Sequence, residues 1–132
     1  MWLFRRDMSP GRRGERLAAR HLRRAGCKIL ARNYRCPAGE ADLIALDPST
    51  RSTEGADCIA FVEVKTRSND ETVDPESAVD RRKRRRLKRV AEHYLAHHDP
   101  GDCRVRFDIV AVVAPPGGQL VIRHTPDAYE VG

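Results

Sequence analysis

Aromatic residues are scarce in this 132-residue chain: one Trp, three Tyr and three Phe, 5% in all. That leaves little material for stacking exposed bases on a single-strand platform. No apolar run approaches the roughly 20 residues that cross a bilayer. Met1-Trp2-Leu3-Phe4 is too short for a signal-peptide core and precedes its charges rather than following them. The four cysteines, Cys27, Cys36, Cys58 and Cys103, show neither C-x-x-C spacing nor a histidine at zinc-ligand intervals. They read as buried or half-buried free thiols in a reducing compartment. A cytoplasmic protein away from the membrane is the expectation.

Charge is what the chain has in excess. Charged residues make up 33%, above the usual quarter, and Lys plus Arg outnumber Asp plus Glu by 25 to 19, for a net charge of +6. Such a balance attracts polyanions, nucleic acid first among them. With 40% hydrophobic residues, the length suits one core and one domain.

Residues 1–11 read as a flexible N-terminal arm and residues 12–132 as a single domain. From Arg12 to Ala25 the pattern is helical: Leu17, Ala18, His21, Leu22 and Ala25 share one side, and Arg12, Arg13, Arg16, Arg20, Arg23 and Arg24 the other. Gly26 stands where a C-terminal cap belongs. Strands are predicted over Cys27–Arg35, Glu40–Leu46 and Cys58–Thr66, with a mobile Ser/Thr/Asp/Gly-rich loop from Asp47 to Asp57. Apolar residues on both faces of the third strand place it centrally. A second helix is predicted from Pro75, capped by Asp74, to about His97. Two last strands, Val105–Val113 and Leu120–Arg123, flank a turn at Pro115-Pro116-Gly117-Gly118. The order is α-β-β-β-α-β-β, an α/β class with a mixed sheet of about five strands.

Three ionisable groups interrupt strands that are otherwise apolar. Asp42 lies within Glu40-Ala41-Asp42-Leu43-Ile44, and Glu63 and Lys65 alternate within the third strand, so those two point to one face. Burying an unpaired carboxylate or ammonium costs several kcal/mol. Two carboxylates brought together repel unless a cation stands between them. A hard divalent ion such as Mg²⁺ or Mn²⁺ takes oxygen ligands of this kind and activates water. A neighbouring lysine can orient that water or steady developing charge. The plain alternative is a buried ion pair, with Lys65 neutralising Glu63 or Asp42.

In the second helix, Val79, Leu87, Val90, Ala91 and Tyr94 form an apolar face with Lys83 in its middle, while Arg81, Arg82, Arg85, Lys88 and Arg89 fall opposite. Lys83 either snorkels to the helix end or reaches the carboxylates or a scissile phosphate. Residues 81–89 hold eight basic residues in nine; with the arginines of the first helix they make two surfaces that suit phosphates. Lys83, Arg12, Arg16, Arg67 and Arg84 are the candidate nucleic-acid contacts.

In chain order stand Gly14-Glu15, Asn33-Tyr34-Arg35, Gly39-Glu40-Ala41-Asp42-Leu43-Ile44, Phe61-Val62-Glu63-Val64-Lys65-Thr66-Arg67, Lys83 with Arg86-Leu87, and Arg106-Phe107-Asp108-Ile109-Val110. This set, from about Gly11 to Tyr129, resembles the YraN-like family of bacterial proteins. That family is placed in the restriction-endonuclease-like, or PD-(D/E)xK, nuclease superfamily, near archaeal Holliday junction resolvases. The resemblance implies a restriction-endonuclease-like three-layer fold. It also implies metal ligation by Asp42, Glu63 and the backbone carbonyl of Val64, with Lys65 as catalytic lysine and Glu15 brought to the site from the first helix. It gives Glu40 a local hydrogen-bonding role, His21 a packing role and Asp108 a structural one. Ala41 departs from the bulkier aliphatic residue usual there, and the Asp47–Asp57 loop is longer than usual.

The expected function is a Mg²⁺- or Mn²⁺-dependent endonuclease acting on DNA, structured or branched DNA included, with a homodimer where both strands are cut. The alternative is a nucleic-acid-binding adaptor that keeps the carboxylate–lysine cluster for structure.

Overall fold

A computed structural model describes residues 10–67, 81–114 and 117–129. Helix α1 spans Pro10–Arg24, and strands β1 and β2 span Lys28–Cys36 and Gly39–Asp47. Strand β3 covers Asp57–Arg67, helix α2 Arg81–His97, β4 Cys103–Val113 and β5 Val121–Thr125. The strands form one sheet in the order β1-β2-β3-β4-β5, and only the β3–β4 pair is parallel. The connection from β3 to β4 contains α2, as a parallel pair requires. β3 is central, as its two apolar faces predict.

Alternation along the strands sorts the core into two layers. On one side Leu43, Ala45, Ala60, Val62, Val110 and Val112 pack against Ala18, Ala19 and Leu22 of α1. On the other, Ile44, Ile59, Phe61, Phe107 and Ile109 pack against Leu87, Val90, Ala91 and Tyr94 of α2. Each fully buried aliphatic or aromatic side chain contributes roughly 1.5–3 kcal/mol. The result is a three-layer arrangement, helix on sheet on helix, in the predicted element order.

Several details differ from the sequence reading. α1 starts two residues earlier, at Pro10, and its buried stripe includes Ala19, whereas Ala25 lies past the helix end and is exposed. Gly26, at φ 98°, does close the helix. Asp47 to Asp57 is folded rather than loose. Asp47 Oδ1 accepts from the Ser49 amide at 2.9 Å to start a 3₁₀ turn, a helical turn follows over Arg51–Glu54, and Arg51 holds Asp57 through two hydrogen bonds of 2.8 Å. The predicted Asp74 cap, the helix start at Pro75, Val79 and the Pro115-Pro116 half of the last turn lie outside the described residues, as does most of the predicted arm.

Candidate functional site

The β2–β3 ladder runs from Asp47↔Cys58 to Leu43↔Val62 and ends there. One step further along each strand stand Asp42 and Glu63, on opposite banks of the gap. Asp42 Oδ2 accepts a hydrogen bond from the Val64 amide at 2.8 Å, which replaces the ladder bond that the parting of the strands removes.

Glu63 is 7% exposed. Its Oε1 takes Lys65 Nζ at 3.1 Å and also Lys83 Nζ, which arrives from the first turns of α2. The strand alternation that predicts Glu63 and Lys65 on one face is therefore present, and Lys83 reaches the carboxylate rather than the helix end. Glu15 approaches from α1. Asn33, held at φ 49° in β1, hydrogen-bonds its side chain, and the charges of Glu40 and Glu63 both bear on it. The sequence reading quotes Asn33 only within a motif; its left-handed backbone, which Asn tolerates better than most residues, is what aims it.

The electrostatics follow from this crowding. Burial, then the Glu63 carboxylate, push Asp42 up to about 7, against the pull of the Val64 amide. Burial first, then the neighbouring Lys83 amine, hold Lys65 below the usual lysine range, although Glu63 pulls it upward. Burial alone would lower Lys83, but its contacts with Glu63 and Lys65 keep it above the ordinary value. Glu15 is raised by burial and partly restored by Asn33.

A cleft of about 540 Å³ opens onto Asp42, Glu63 and Lys83, with Arg35, Glu40 and Arg86 also in its lining, whereas Lys65 and Glu15 are not among its lining residues. Glu40 is exposed and pairs with Arg35 at 3.5 Å, a local role. Tyr129 stacks on Phe107 with centroids 5.6 Å apart, feels the charge of Glu63, and buries a hydroxyl that finds no hydrogen-bond partner among the described residues.

The candidate nucleic-acid contacts do not converge on one spot. Arg12 and Arg16 are exposed on α1, and the charge of Arg12 bears on Glu15. Arg67 donates to the Thr66 carbonyl at 3.1 Å, and the Arg84 guanidinium lies 4.7 Å above the centre of the Tyr129 ring. Lys83 belongs to the carboxylate cluster.

On the α1 side of the sheet lies a second polar cluster that the sequence does not announce. Asp108, 0% exposed, accepts from Arg106 Nε at 2.9 Å and Nη2 at 3.1 Å, from the Asp127 amide at 3.0 Å, and meets His124 Nε2 at 2.8 Å. Arg106 also holds Asp47 at 2.8 Å. Burial alone would raise Asp108, but these partners outweigh it and hold the carboxyl below its ordinary range. His21 packs edge-on against His124, with centroids 5.7 Å apart. Arg106-x-Asp108 at alternate strand positions is the one signal that could have pointed to this cluster.

Among the described residues, no three His, Cys, Asp or Glu side chains are grouped so as to hold a metal ion by themselves. The donor set is instead two opposed hard carboxylates, and burial first, then the Glu63 charge, raise the proton affinity of Asp42. Among the described residues, no helix is long and apolar enough to cross a membrane.

Residues 14–112 match the family described as "Uncharacterised protein family UPF0102". A UPF0102 protein of Nocardia farcinica is 47% identical over 114 residues, covering 86% of this chain and 84% of the relative. One from Solibacter usitatus is 49% identical over 105 residues, covering 78% and 74%. One from Frankia alni is 43% identical over 119 residues, covering 90% and 92%.

Proposed function

Because this chain belongs to the uncharacterised protein family UPF0102, whose name carries no activity, we propose a function from the site itself: a metal-dependent nuclease that hydrolyses phosphodiester bonds in DNA, structured or branched DNA included. The observation that carries the reading is Asp42 opposed to buried Glu63, with Lys65 on the same carboxylate. Together with the sheet order, it supports a place in the restriction-endonuclease-like superfamily.

Asp42 and Glu63, with the backbone carbonyl of Val64, would hold Mg²⁺ or Mn²⁺. Such an ion, when bound, lowers the pKa of a coordinated water and stabilises charge on a phosphoryl group. Lys65 is the residue that would orient the attacking water or steady the developing charge, with burial and the Lys83 amine holding it below the usual lysine range. Glu15 adds a third carboxylate whose charge couples to Glu63, and Arg35 and Arg86 would give the cleft cationic walls for the phosphates on either side of the scissile bond. The four cysteines are free thiols, which suits a cytoplasmic setting. Cutting both strands symmetrically calls for a homodimer.

The test is cleavage of labelled duplex and branched DNA by purified protein in Mg²⁺ or Mn²⁺. Asp42→Ala and Lys65→Ala are expected to abolish it, a loss of at least about 10²-fold for each. Cleavage that survives both substitutions overturns the reading. One observation favours a second reading, a nucleic-acid-binding adaptor: Lys65 and Lys83 already neutralise Glu63. Calorimetric titration with Mn²⁺ separates the two, since salt-dependent DNA binding without a metal-binding heat belongs to the adaptor.

A further inference from the structure

A second concavity lies on the α1 side of the sheet, away from the carboxylates. Arg13, Arg16, Arg20 and Arg23 of α1 and Arg32 of β1 line a groove of about 430 Å³, with Leu17 as the remaining lining residue. Among the described residues, no carboxylate and no aromatic ring lines it. Arg13, Arg16, Arg20, Arg23 and Arg32 are all exposed. Five guanidinium groups around one groove concentrate positive charge along a single concave surface. That arrangement costs least when an anion of matching length lies along it.

We infer that this groove is the seat of a nucleic-acid duplex, held by the phosphates of one backbone. The inference rests on the nucleic-acid reading above and deepens it by naming the form of the substrate and its path. Arginine forks bind phosphate oxygens bidentately. A groove without an aromatic ring offers nothing to stack unpaired bases on, which a single-strand platform needs. The paired form, with its bases turned inward, is the one that asks only for phosphate contacts.

Dimensions agree. Arg13 to Arg23 is ten helical residues, about 15 Å, and one duplex strand presents a phosphate about every 3.4 Å of axis, so the row spans about four phosphates. β1 joins this groove to the carboxylate cleft: Arg32 lines the groove and Arg35 the cleft. Three strand residues, about 10 Å, separate them. β1 is also the edge strand of the sheet, with α1 on one face and α2 on the other. A duplex lying over that edge meets the arginines of α1 on one side and the cleft with Lys83 and Arg86 on the other.

The experiment is binding of a 20-base-pair DNA duplex in EDTA at several salt concentrations, with the matching single strand and anionic phosphatidylserine vesicles as parallel probes. Each phosphate contact contributes about 0.9 to the slope of log affinity against log salt. Arg20→Gln with Arg23→Gln is expected to lower that slope by about 2, and adding Arg13→Gln and Arg32→Gln by about 3 to 4 in total. Arg104→Gln with Arg123→Gln, an equal loss of charge on the β4–β5 side, is expected to leave it unchanged. These are exposed side chains, and circular dichroism verifies that each variant is folded. The inference is overturned if the groove variants leave the slope intact or if both double variants lower it equally. It is equally overturned if the single strand binds more tightly than the duplex, or if vesicles bind and the duplex does not. Binding is read without metal. A failed groove therefore leaves the nuclease reading standing, and a protein that binds through the groove but never cleaves overturns only the nuclease reading.

Discussion

Asp42 and Glu63 face each other where β2 and β3 part, and Asp42 is fixed there by the Val64 amide at 2.8 Å. The sheet itself thus holds two acids together. Burial and the Glu63 charge push the Asp42 carboxyl up to about 7 from the ordinary 3.8. A raised carboxyl favours the folded state in its protonated form, so this contribution is lost as pH rises through 7 and recovered as pH falls toward 4. In metal-free protein, Asp42→Asn is expected to stabilise at pH 8 by on the order of 4 kcal/mol, at pH 5 by roughly 1–2 kcal/mol, and below pH 4 hardly at all. Thermal melts of both proteins at the two pH values check it, and an equal effect at both would contradict it.

Lys83 occupies the oxygen of Glu63 that Lys65 also uses. An incoming cation must displace or share that contact. Lys83→Met is expected to tighten Mn²⁺ binding by about three- to tenfold, since a like charge is removed from the site. Calorimetry reads the change directly. Unaltered affinity would mean that the lysine stays clear of the ion.

Gly14 sits on Thr66, so that a Cβ there would overlap the Thr66 hydroxyl. Gly14→Ala should therefore push the start of α1 away from the end of β3, at a cost of about 1–3 kcal/mol in chemical denaturation. Glu15 moves with the helix, and its hydrogen bond to Asn33 should weaken. Gly14→Ser should behave no better. A variant as stable as the parent would show that Thr66 turns aside freely.

Asp108 is fully buried, with its charge balanced by Arg106 and a hydrogen-bonding contact to His124. Removing the partner while leaving the acid, as in Arg106→Met, is expected to cost about 3–5 kcal/mol. The sign with pH is opposite to that of Asp42. Asp108 is held below its ordinary range, so its stabilisation is present at neutral pH and lost as pH falls through its folded value. Urea titrations of the wild type from pH 7 downward should show that decline, and Arg106→Met should flatten it.

Much of this is legible in the residues. Ile59, Phe61, Val62 and Val64 make β3 central, and strand alternation alone puts Glu63 beside Lys65. Lys83 is different: a helical wheel gives its direction into the core but not the distance to Glu63, which depends on how α2 lies across the sheet. The Asp47–Asp57 segment reads as loose because Ser, Thr, Asp and Gly suit open chain, yet the Arg51–Asp57 pair closes it. The Arg106–Asp108–His124–Asp47 cluster joins residues up to 59 positions apart across three strands, and no local pattern encodes that. The arginine groove is half visible: the α1 arginines announce themselves by period, whereas Arg32 joins them only through the packing of β1 beside the helix.

β3 is bonded to β4 along all its eleven residues but to β2 only as far as Val62. Past that point the Val64 amide is shielded by a side chain instead of a neighbouring strand. Its exchange with deuterated solvent is therefore governed by one carboxyl group, slow while Asp42 accepts and fast in Asp42→Ala. Ordering of the open end of the sheet and the placement of the Asp42 carboxyl then stand or fall as one property, so that a single amide signal reports on both.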